Sequence, residues 1–390
     1  MLPIKSPVAI LTPKTTSVSL TIFCLVGQTT FFSSAIDSLT NPSGLTDLIF
    51  VSDSNMDFPI MPRDDILHNS SCCMAKAKKI TKAIIAVAGY GTRFLPATKN
   101  QPKEMLPIID KPIIQYLVEE CVESGIENII LVTRFGQSVM ENHFDSNVEL
   151  EDQLRANGKK ELLQKVQRVS QMANIVYVRQ RKHFPYGNGT PLLAAKDLIN
   201  KDESFVFMWG DDMVKSKVPA VKQVIKLWQK SPRSVILGAQ EVPLSEVNRY
   251  GIVKIKRGTV NEVHSVVEKP DPDKTPSRLA QYGRFVLNHK IIDILADHYA
   301  KGKLGRGGEL WLTDAIQEFI KNKGKVLVAP IDGKWVTTGD PLRYLMATVE
   351  YALDREDIGP EFKDYLKSLD LYDCDHEHGH HHGDDNCYCC

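Results

Sequence analysis

Between residues 74 and 369 the chain has a single cysteine, Cys121; the other seven lie outside that span, at Cys24, Cys72, Cys73, Cys374, Cys387, Cys389 and Cys390. A fold stapled by disulfides needs paired cysteines through its body, so the middle of the chain reads as protein of a reducing compartment. Long apolar runs are missing as well. The most apolar stretch, Val18 to Val26, falls well short of the roughly 20 residues a spanning helix requires. No Gly-Lys-Ser or Gly-Lys-Thr occurs, which excludes a Walker A phosphate loop. Gly89-Tyr90-Gly91 begins like a dinucleotide fingerprint, but Phe94 stands where the third glycine belongs, and that excludes the motif. No repeat or Pro/Gly linker interrupts residues 79–369, so they are read as one large domain.

Net charge is lacking too: 48 Lys+Arg balance 48 Asp+Glu. The zero conceals a partition. Residues 1–73 carry 3 basic and 6 acidic groups, and residues 370–390 carry 6 acidic groups and no Lys or Arg. Residues 74–369 therefore hold 45 basic and 36 acidic groups, an excess of +9. That excess is too small for a nucleic-acid-scale basic surface but favours small anionic ligands.

The two ends stand apart from the middle. Residues 1–78 are rich in Ser, Thr and Pro and show no sustained period. Lys5 and Lys14 before an apolar stretch, with Ser33-Ser34-Ala35 after it, fit a signal peptide. Upstream sequence preceding a start at Met74 fits better, because Met74-Ala-Lys-Ala-Lys-Lys runs straight into a strand. This segment is expected to be disordered or absent from the mature protein, which is expected to be cytoplasmic and free of membrane. Residues 370–390 form an acidic His/Cys-rich tail, expected to be disordered, with any metal binding there adventitious.

In the middle, Ile80–Ala88 is a β-branched run of strand length, Pro112–Ser124 carries apolar residues at helical spacing, and Asn128–Val132 is a second strand. Strand, helix and strand separated by glycines make a βαβ unit, which implies parallel pairing. Further strands are expected at 175–178, 205–209, 234–239, 251–255, 264–268 and 326–330. Helices are expected at 149–166, 219–229, 290–299 and 312–322, with a helical C-terminal extension at 341–355 and 360–369.

The loop after the first strand is Gly89-Tyr90-Gly91-Thr92-Arg93-Phe94-Leu95-Pro96. Glycines at a strand exit let backbone N–H groups approach an anion, although a lone Gly-x-Gly is most often only a turn. Arg93, Lys99 and Lys103 place three cations within 11 residues, which suits a polyphosphate. Phe205-Val-Phe-Met-Trp-Gly-Asp211-Asp212 is an apolar strand ending in two carboxylates, placed for a cation at the ligand crevice or for a turn.

The segments Ala88-Gly-Tyr-Gly-Thr-Arg-Phe-Leu-Pro-Ala-Thr-Lys, Pro102-Lys-Glu-Met-Leu-Pro, Val178-Arg-Gln180, Val267-Glu-Lys-Pro270, Gly283-Arg-Phe-Val-Leu287 and Leu312-Thr-Asp-Ala315 resemble the bacterial UTP–glucose-1-phosphate uridylyltransferases, over about residues 80–350. The resemblance implies a three-layer α/β/α sandwich with a mixed, mostly parallel Rossmann-like sheet. It implies UTP and glucose 1-phosphate as partners, Mg²⁺ as cofactor, no nucleic acid, and a homo-dimer or homo-tetramer. It assigns the nucleotide to Ala88, Gly89, Gly91, Gln180, Gly187 and Gly189, with a glycine of the latter pair packing on the base. Arg93 and Lys103 become the catalytic cations and Asp211 the metal ligand. Gly251, Glu268 and Lys269 become the sugar-phosphate site, the glycine leaving room for a ring. Related transfer with dTTP or another sugar phosphate, or a non-catalytic nucleotide-sugar-binding regulator, are the alternatives.

The chain departs from that pattern at three places. Thr337 stands where the family usually has the second Mg²⁺-binding Asp, and a hydroxyl is a poorer ligand for a hard cation. Asp340 and Asp212 are the nearby candidates to compensate. Trp311 replaces a usual Gln, and Thr190-Pro191 replaces a usual His-Ala.

Overall fold

The computed structural model describes residues 79–369 and, before them, the backbone of strands β1 (Val8–Lys14), β2 (Ser17–Phe23) and β3 (Ala35–Ile36). Strand β2 pairs antiparallel with β1 and with β3 within a unit spanning Met1–Lys76. The start at Met74, the small residues Ser33 and Ser34, and the tail 370–390 fall outside the described residues.

The second unit follows the expected α/β order. Strand β4 (Lys82–Ala86) leads through the short β5 (Pro107–Ile108) and β6 (Lys111–Pro112) into helix α1 (Ile113–Glu123) and strand β7 (Asn128–Thr133). Helices α2 (Ser138–His143), α3 (Val148–Ala156) and α4 (Lys160–Ser170) precede β8 (Asn174–Arg179). Helix α5 (Thr190–Ala194), β9 (Ser204–Trp209), β10 (Asp212–Lys215), α6 (Ala220–Lys230) and β11 (Val235–Glu241) come next. Then follow β12 (Gly251–Ile255), β13 (Val263–Glu268), β14 (Leu279–Asn288), α7 (His289–Ala300) and α8 (Leu312–Lys321). Strands β15 (Val326–Pro330) and β16 (Lys334–Thr337) and helices α9 (Pro341–Leu353) and α10 (Gly359–Ser368) end the described chain.

Nine strands make one mixed sheet, ordered β13-β12-β14-β9-β4-β7-β8, with β11 beside β14 and β15 beside β11. The pairs β4–β7, β4–β9, β7–β8 and β11–β15 are parallel; β14 runs antiparallel to its neighbours. Period-2 alternation sorts each central strand into two cores. Ala83, Ile85, Val206 and Met208 join the side of α1 and α6, whereas Ile84, Phe205 and Phe207 join the side of α7 and α8. Both faces are covered, which is why β4 and β9 read as continuous apolar runs. Among the described residues no helix is long and apolar enough to cross a membrane.

Two expectations need correction. The single helix expected at 149–166 is two, because Gly158 takes a left-handed φ of 68° between them. Strand β14, the 10-residue centre of the sheet, was not expected, and neither were β10 and β16. The obstacle in β14 is Arg284, a charge in mid-strand. Arg284 is fully buried and is neutralised by Glu120 of α1, through Nε to Oε1 at 2.8 Å and Nη2 to Oε2 at 2.5 Å. Its Nη2 also donates to the Asp212 carbonyl at 3.0 Å, so the pair braces the turn that carries the acidic residues. Replacing Glu120 by Gln leaves the guanidinium charge buried and uncompensated, and should cost about 3–5 kcal/mol in urea unfolding. A loss under about 1 kcal/mol would show that this pair is no brace.

Candidate active site

Val87 leaves the sheet with its N–H on the Val132 carbonyl at 3.0 Å. Gly91 then takes φ 61°, and a Cβ there would meet Thr98 and Lys103 at 3.2–3.3 Å. Both conformation and space therefore demand glycine. Thr98 Oγ1 closes the loop by donating to the Gly91 carbonyl at 2.8 Å. Phe94 is buried and meets Tyr344 of α9 edge-on at 5.7 Å, which leaves the neighbouring Arg93 exposed at the loop's rim. Arg93 Nη1 donates to the Gly339 carbonyl at 3.1 Å. The Lys103 stem lies under Gly89, where a Cβ would sit 3.9 Å from Cε.

Because β9 runs parallel beside β4, its exit faces the same crevice. Gly210 makes the turn, since a Cβ there would stand 2.7 Å from the Ala86 carbonyl. Asp211 follows, and its carboxylate is ion-paired with Lys103. Its carbonyl accepts from Thr338 N at 2.7 Å and Thr338 Oγ1 at 2.9 Å. A Cβ on Gly339 would lie 3.1 Å from Asp211 Oδ2, 3.5 Å from Thr337 Oγ1 and 3.9 Å from Arg93 Nη1. Three widely separated segments thus converge on one small volume. Burial disfavours both charges of the Lys103–Asp211 pair, yet each group stabilises the other. Asp211 is held below the usual carboxylate range and Lys103 above the usual lysine range.

Neither expected substitute for an acidic residue at 337 is free. Asp340 caps α9 through Arg343 N at 3.1 Å, and its Oδ2 accepts from Arg249 at 2.9 Å and Arg343 at 3.0 Å. Burial works against its charge, but the Arg343 N–H and the two guanidiniums hold its carboxyl down at about 2. Asp212 pairs in register with Thr337 across β10 and β16 and accepts from Trp335 Nε1 at 2.9 Å. Burial and the Asp211 charge push its carboxyl up to about 6. Among the described residues, no group of three or more His, Cys, Asp or Glu is arranged to hold a metal ion.

Glu104, between Lys103 and Met105, lies in the Pro102–Pro107 motif, where sequence alone assigns it no role of its own. It is 1% exposed, its Oε1 lies 4.0 Å from Lys103 Nζ, and its Oε2 has no hydrogen-bond partner in the protein. Burial pushes its carboxyl up to about 8. A folded value above the ordinary 4.5 means that Glu104 contributes stability at low pH and loses it as pH rises from about 4.5 to about 8. Glu104→Gln should therefore melt close to wild type at pH 4.5 and progressively above it towards pH 9. A difference in melting temperature that does not change with pH would rule this out.

The sugar-phosphate candidates form a second group. Gly251 pairs with Glu268 across β12 and β13. Burial raises the Glu268 carboxyl, and its Oε2 accepts from Thr313 Oγ1 at 3.0 Å. Lys269 sits at φ 43°, a strained conformation for a lysine, with Nζ 4.0 Å from Glu268 Oε1. A Cβ on Gly251 would lie 2.3 Å from Gln281 Nε2, so a side chain there would crowd the neighbouring amide.

The base-side candidates form a third group. Gln180 donates its N–H to the Thr133 carbonyl at 2.7 Å. Gly187 and Gly189 pack against backbone: a Cβ would fall 2.3 Å and 3.1 Å respectively from the Leu310 carbonyl. The segment is zipped to 310–312 by Gly189 N on Leu310 O at 2.9 Å, Leu310 N on Tyr186 O at 2.8 Å and Leu312 N on Asn188 Oδ1 at 2.7 Å. Thr190 Oγ1 donates to Pro185 O at 2.7 Å, and Trp311 Nε1 donates to Glu309 at 3.0 Å. Both departures from the family pattern are thus satisfied locally. Leu310–Thr313 links this group to Glu268. A 440 Å³ cavity between α1 and α4, walled by Glu119, Glu123 and Arg168, contains none of these residues.

A glycine turn, two cations and a carboxylate meet where adjacent parallel strands end, an arrangement with the chemistry to hold phosphates. The chain belongs to the nucleotidyl transferase family, whose sequence model matches residues 82–353. Within that family it is similar to the UTP–glucose-1-phosphate uridylyltransferase of Staphylococcus epidermidis, 45% identical over 296 residues, or 75% of this chain and 100% of the relative. It is similar also to that of Bacillus subtilis, 42% identical over 75% of this chain and 98% of the relative. A solved UTP-bound enzyme of the same type from Acinetobacter baumannii superposes with a TM-score of 0.67 at 34% identity, covering 75% of this chain and 100% of that one.

Proposed function

We propose that this chain transfers the uridylyl group of UTP to glucose 1-phosphate, giving UDP-glucose and pyrophosphate. The observation that carries this is the convergence of Arg93, Lys103 and Asp211 beside the glycine turn. The names of the relatives supply the substrates. A phosphate oxygen of glucose 1-phosphate attacks the α-phosphorus in line. The bond to the β-phosphate breaks, and pyrophosphate leaves with the bonding electrons. Enzymes of this kind work by positioning and charge neutralisation.

Each predicted residue then takes a role. The backbone of Ala88, Gly89 and Gly91 cradles the phosphates. Arg93, exposed at the rim, neutralises the departing pyrophosphate, and Lys103 steadies the α-phosphate. Gln180 reads the uracil edge, with Gly187 and Gly189 shaping the wall behind it. Gly251 and Glu268 hold the sugar, and Lys269 holds its phosphate.

Asp211, charged and aimed at the volume shared with Arg93 and Thr337, fits a divalent cation of the Mg²⁺ type, which takes one or two carboxylates and completes its shell with phosphates and water. Such a cation supplies Lewis-acid charge neutralisation of the reacting phosphates when bound. Residues 79–369 are the working unit of this proposal, with segments 1–78 and 370–390 outside the reaction. A cytoplasmic homo-dimer or homo-tetramer is the assembly the family pattern supports. Incubation with glucose 1-phosphate and each of UTP, dTTP, CTP and ATP, followed by separation of nucleotide sugars, tests the substrate choice. UDP-glucose should be the main product, and faster conversion of dTTP would overturn the choice of UTP.

A further inference from the structure

The end of β7 holds polar groups that the roles above leave unused. Arg134 follows Thr133, whose carbonyl takes the Gln180 N–H, so it stands next to the residue proposed to read the base. Its own N–H is fixed on Gln137 Oε1 at 2.8 Å. Its guanidinium lies over the Tyr90 ring, 5.0 Å from the centroid, so it is held to the glycine turn. Four buried atoms here have no hydrogen-bond partner in the protein: Arg134 Nε, Gln137 Nε2, Thr133 Oγ1 and, within electrostatic reach of Arg134, Glu104 Oε2. Thr133, Gln137 and Glu104 are each at most 2% exposed. Buried polar groups in folded proteins are ordinarily paired, and each exception carries a desolvation cost. Four in neighbouring positions, at the C-terminal edge of two parallel strands, imply that something other than protein satisfies them.

We propose that Arg134 is a nucleotide-contacting residue of this chain, donating from its guanidinium to an acceptor on the nucleoside half of UTP while Tyr90 holds it in place. The inference deepens the uridylyltransferase proposal and rests on it. The acceptor is an uncharged oxygen, either a uracil carbonyl or the ribose 2′-hydroxyl. Lys103 and Arg93 lie on the phosphate side, so Arg134 acts on nucleotide affinity and not on the bond being broken.

The test is calorimetric titration of UTP with Mg²⁺ into wild type, Arg134→Ala and Arg134→Met, with steady-state kinetics on the same samples. Met keeps an apolar stem on Tyr90 if Ala perturbs folding. Both variants should bind UTP about 10- to 100-fold more weakly, equivalent to about 1.4–2.8 kcal/mol. The KM for glucose 1-phosphate and kcat should stay within about threefold of wild type. Titration of 2′-deoxy-UTP separates the acceptors. If wild type binds it as weakly as the variants bind UTP, the contact is to the ribose; if wild type binds it like UTP and the variants lose both equally, the contact is to the base. UTP binding by both variants within twofold of wild type would overturn the inference and leave the uridylyltransferase proposal standing. A wild type that binds no UTP would overturn both.

Discussion

Lys103→Ala is expected to lower kcat for UDP-glucose formation by about 10²–10³-fold, the usual cost of removing one preorganised charge from a developing anionic transition state. The lysine is held under Gly89 and fixed by Asp211 before any substrate arrives, so little reorganisation is needed when the α-phosphate enters. The KM for glucose 1-phosphate should change less than kcat, because in the proposed arrangement Glu268 and Lys269, not Lys103, hold the sugar and its phosphate. The substitution also leaves the half-buried Asp211 carboxylate without its cation. Melting temperatures should therefore accompany the kinetics, so that lost activity is not mistaken for lost fold. A stable Lys103→Ala protein with kcat within threefold of wild type would remove Lys103 from the mechanism.

Asp211→Ala should have the larger effect, abolishing turnover that depends on a divalent cation, with a loss of about 10³-fold or more. Asp340 is tied to two arginines and a helix cap, and Asp212 to Trp335. No described carboxylate stands ready to replace Asp211. Excess Mg²⁺ should not restore the activity. Because Lys103 and Asp211 form one ion pair, the double variant should lose far less than the product of the single losses. Multiplicative losses would show that the two side chains act separately. Near-normal turnover by Asp211→Ala would refute its role as metal ligand.

What could be read in advance follows physical lines. Strands β4, β12 and β15 announce themselves through apolar, β-branched runs, and α1 and α8 through helical spacing closed by glycine or asparagine. Strand β14 does not, because Arg284 becomes acceptable in a sheet only through Glu120, 164 residues earlier. Short β10 and β16 exist chiefly as partners for each other, pairing Asp212 with Thr337. The phosphate-side residues were legible as motifs, but their convergence was not, since Arg93, Asp211 and Gly339 meet only through tertiary structure. Gly187, Gly189 and Gly251 stood out only through the family pattern; what the sequence could not show is how closely protein neighbours approach each of them, Leu310 at the first two and Gln281 at the third. Arg134 belongs to none of the motifs quoted above and Glu104 had no role within its own; buried polar atoms without hydrogen-bond partners, Arg134 Nε and Glu104 Oε2, set them apart.

The most direct measurement is pyrophosphate release by the purified full chain with UTP, glucose 1-phosphate and Mg²⁺, each omitted in turn. Release at an enzymatic rate that requires all three, with UDP-glucose formed in equal amount, is the predicted result. No release above background with every component present would contradict the account.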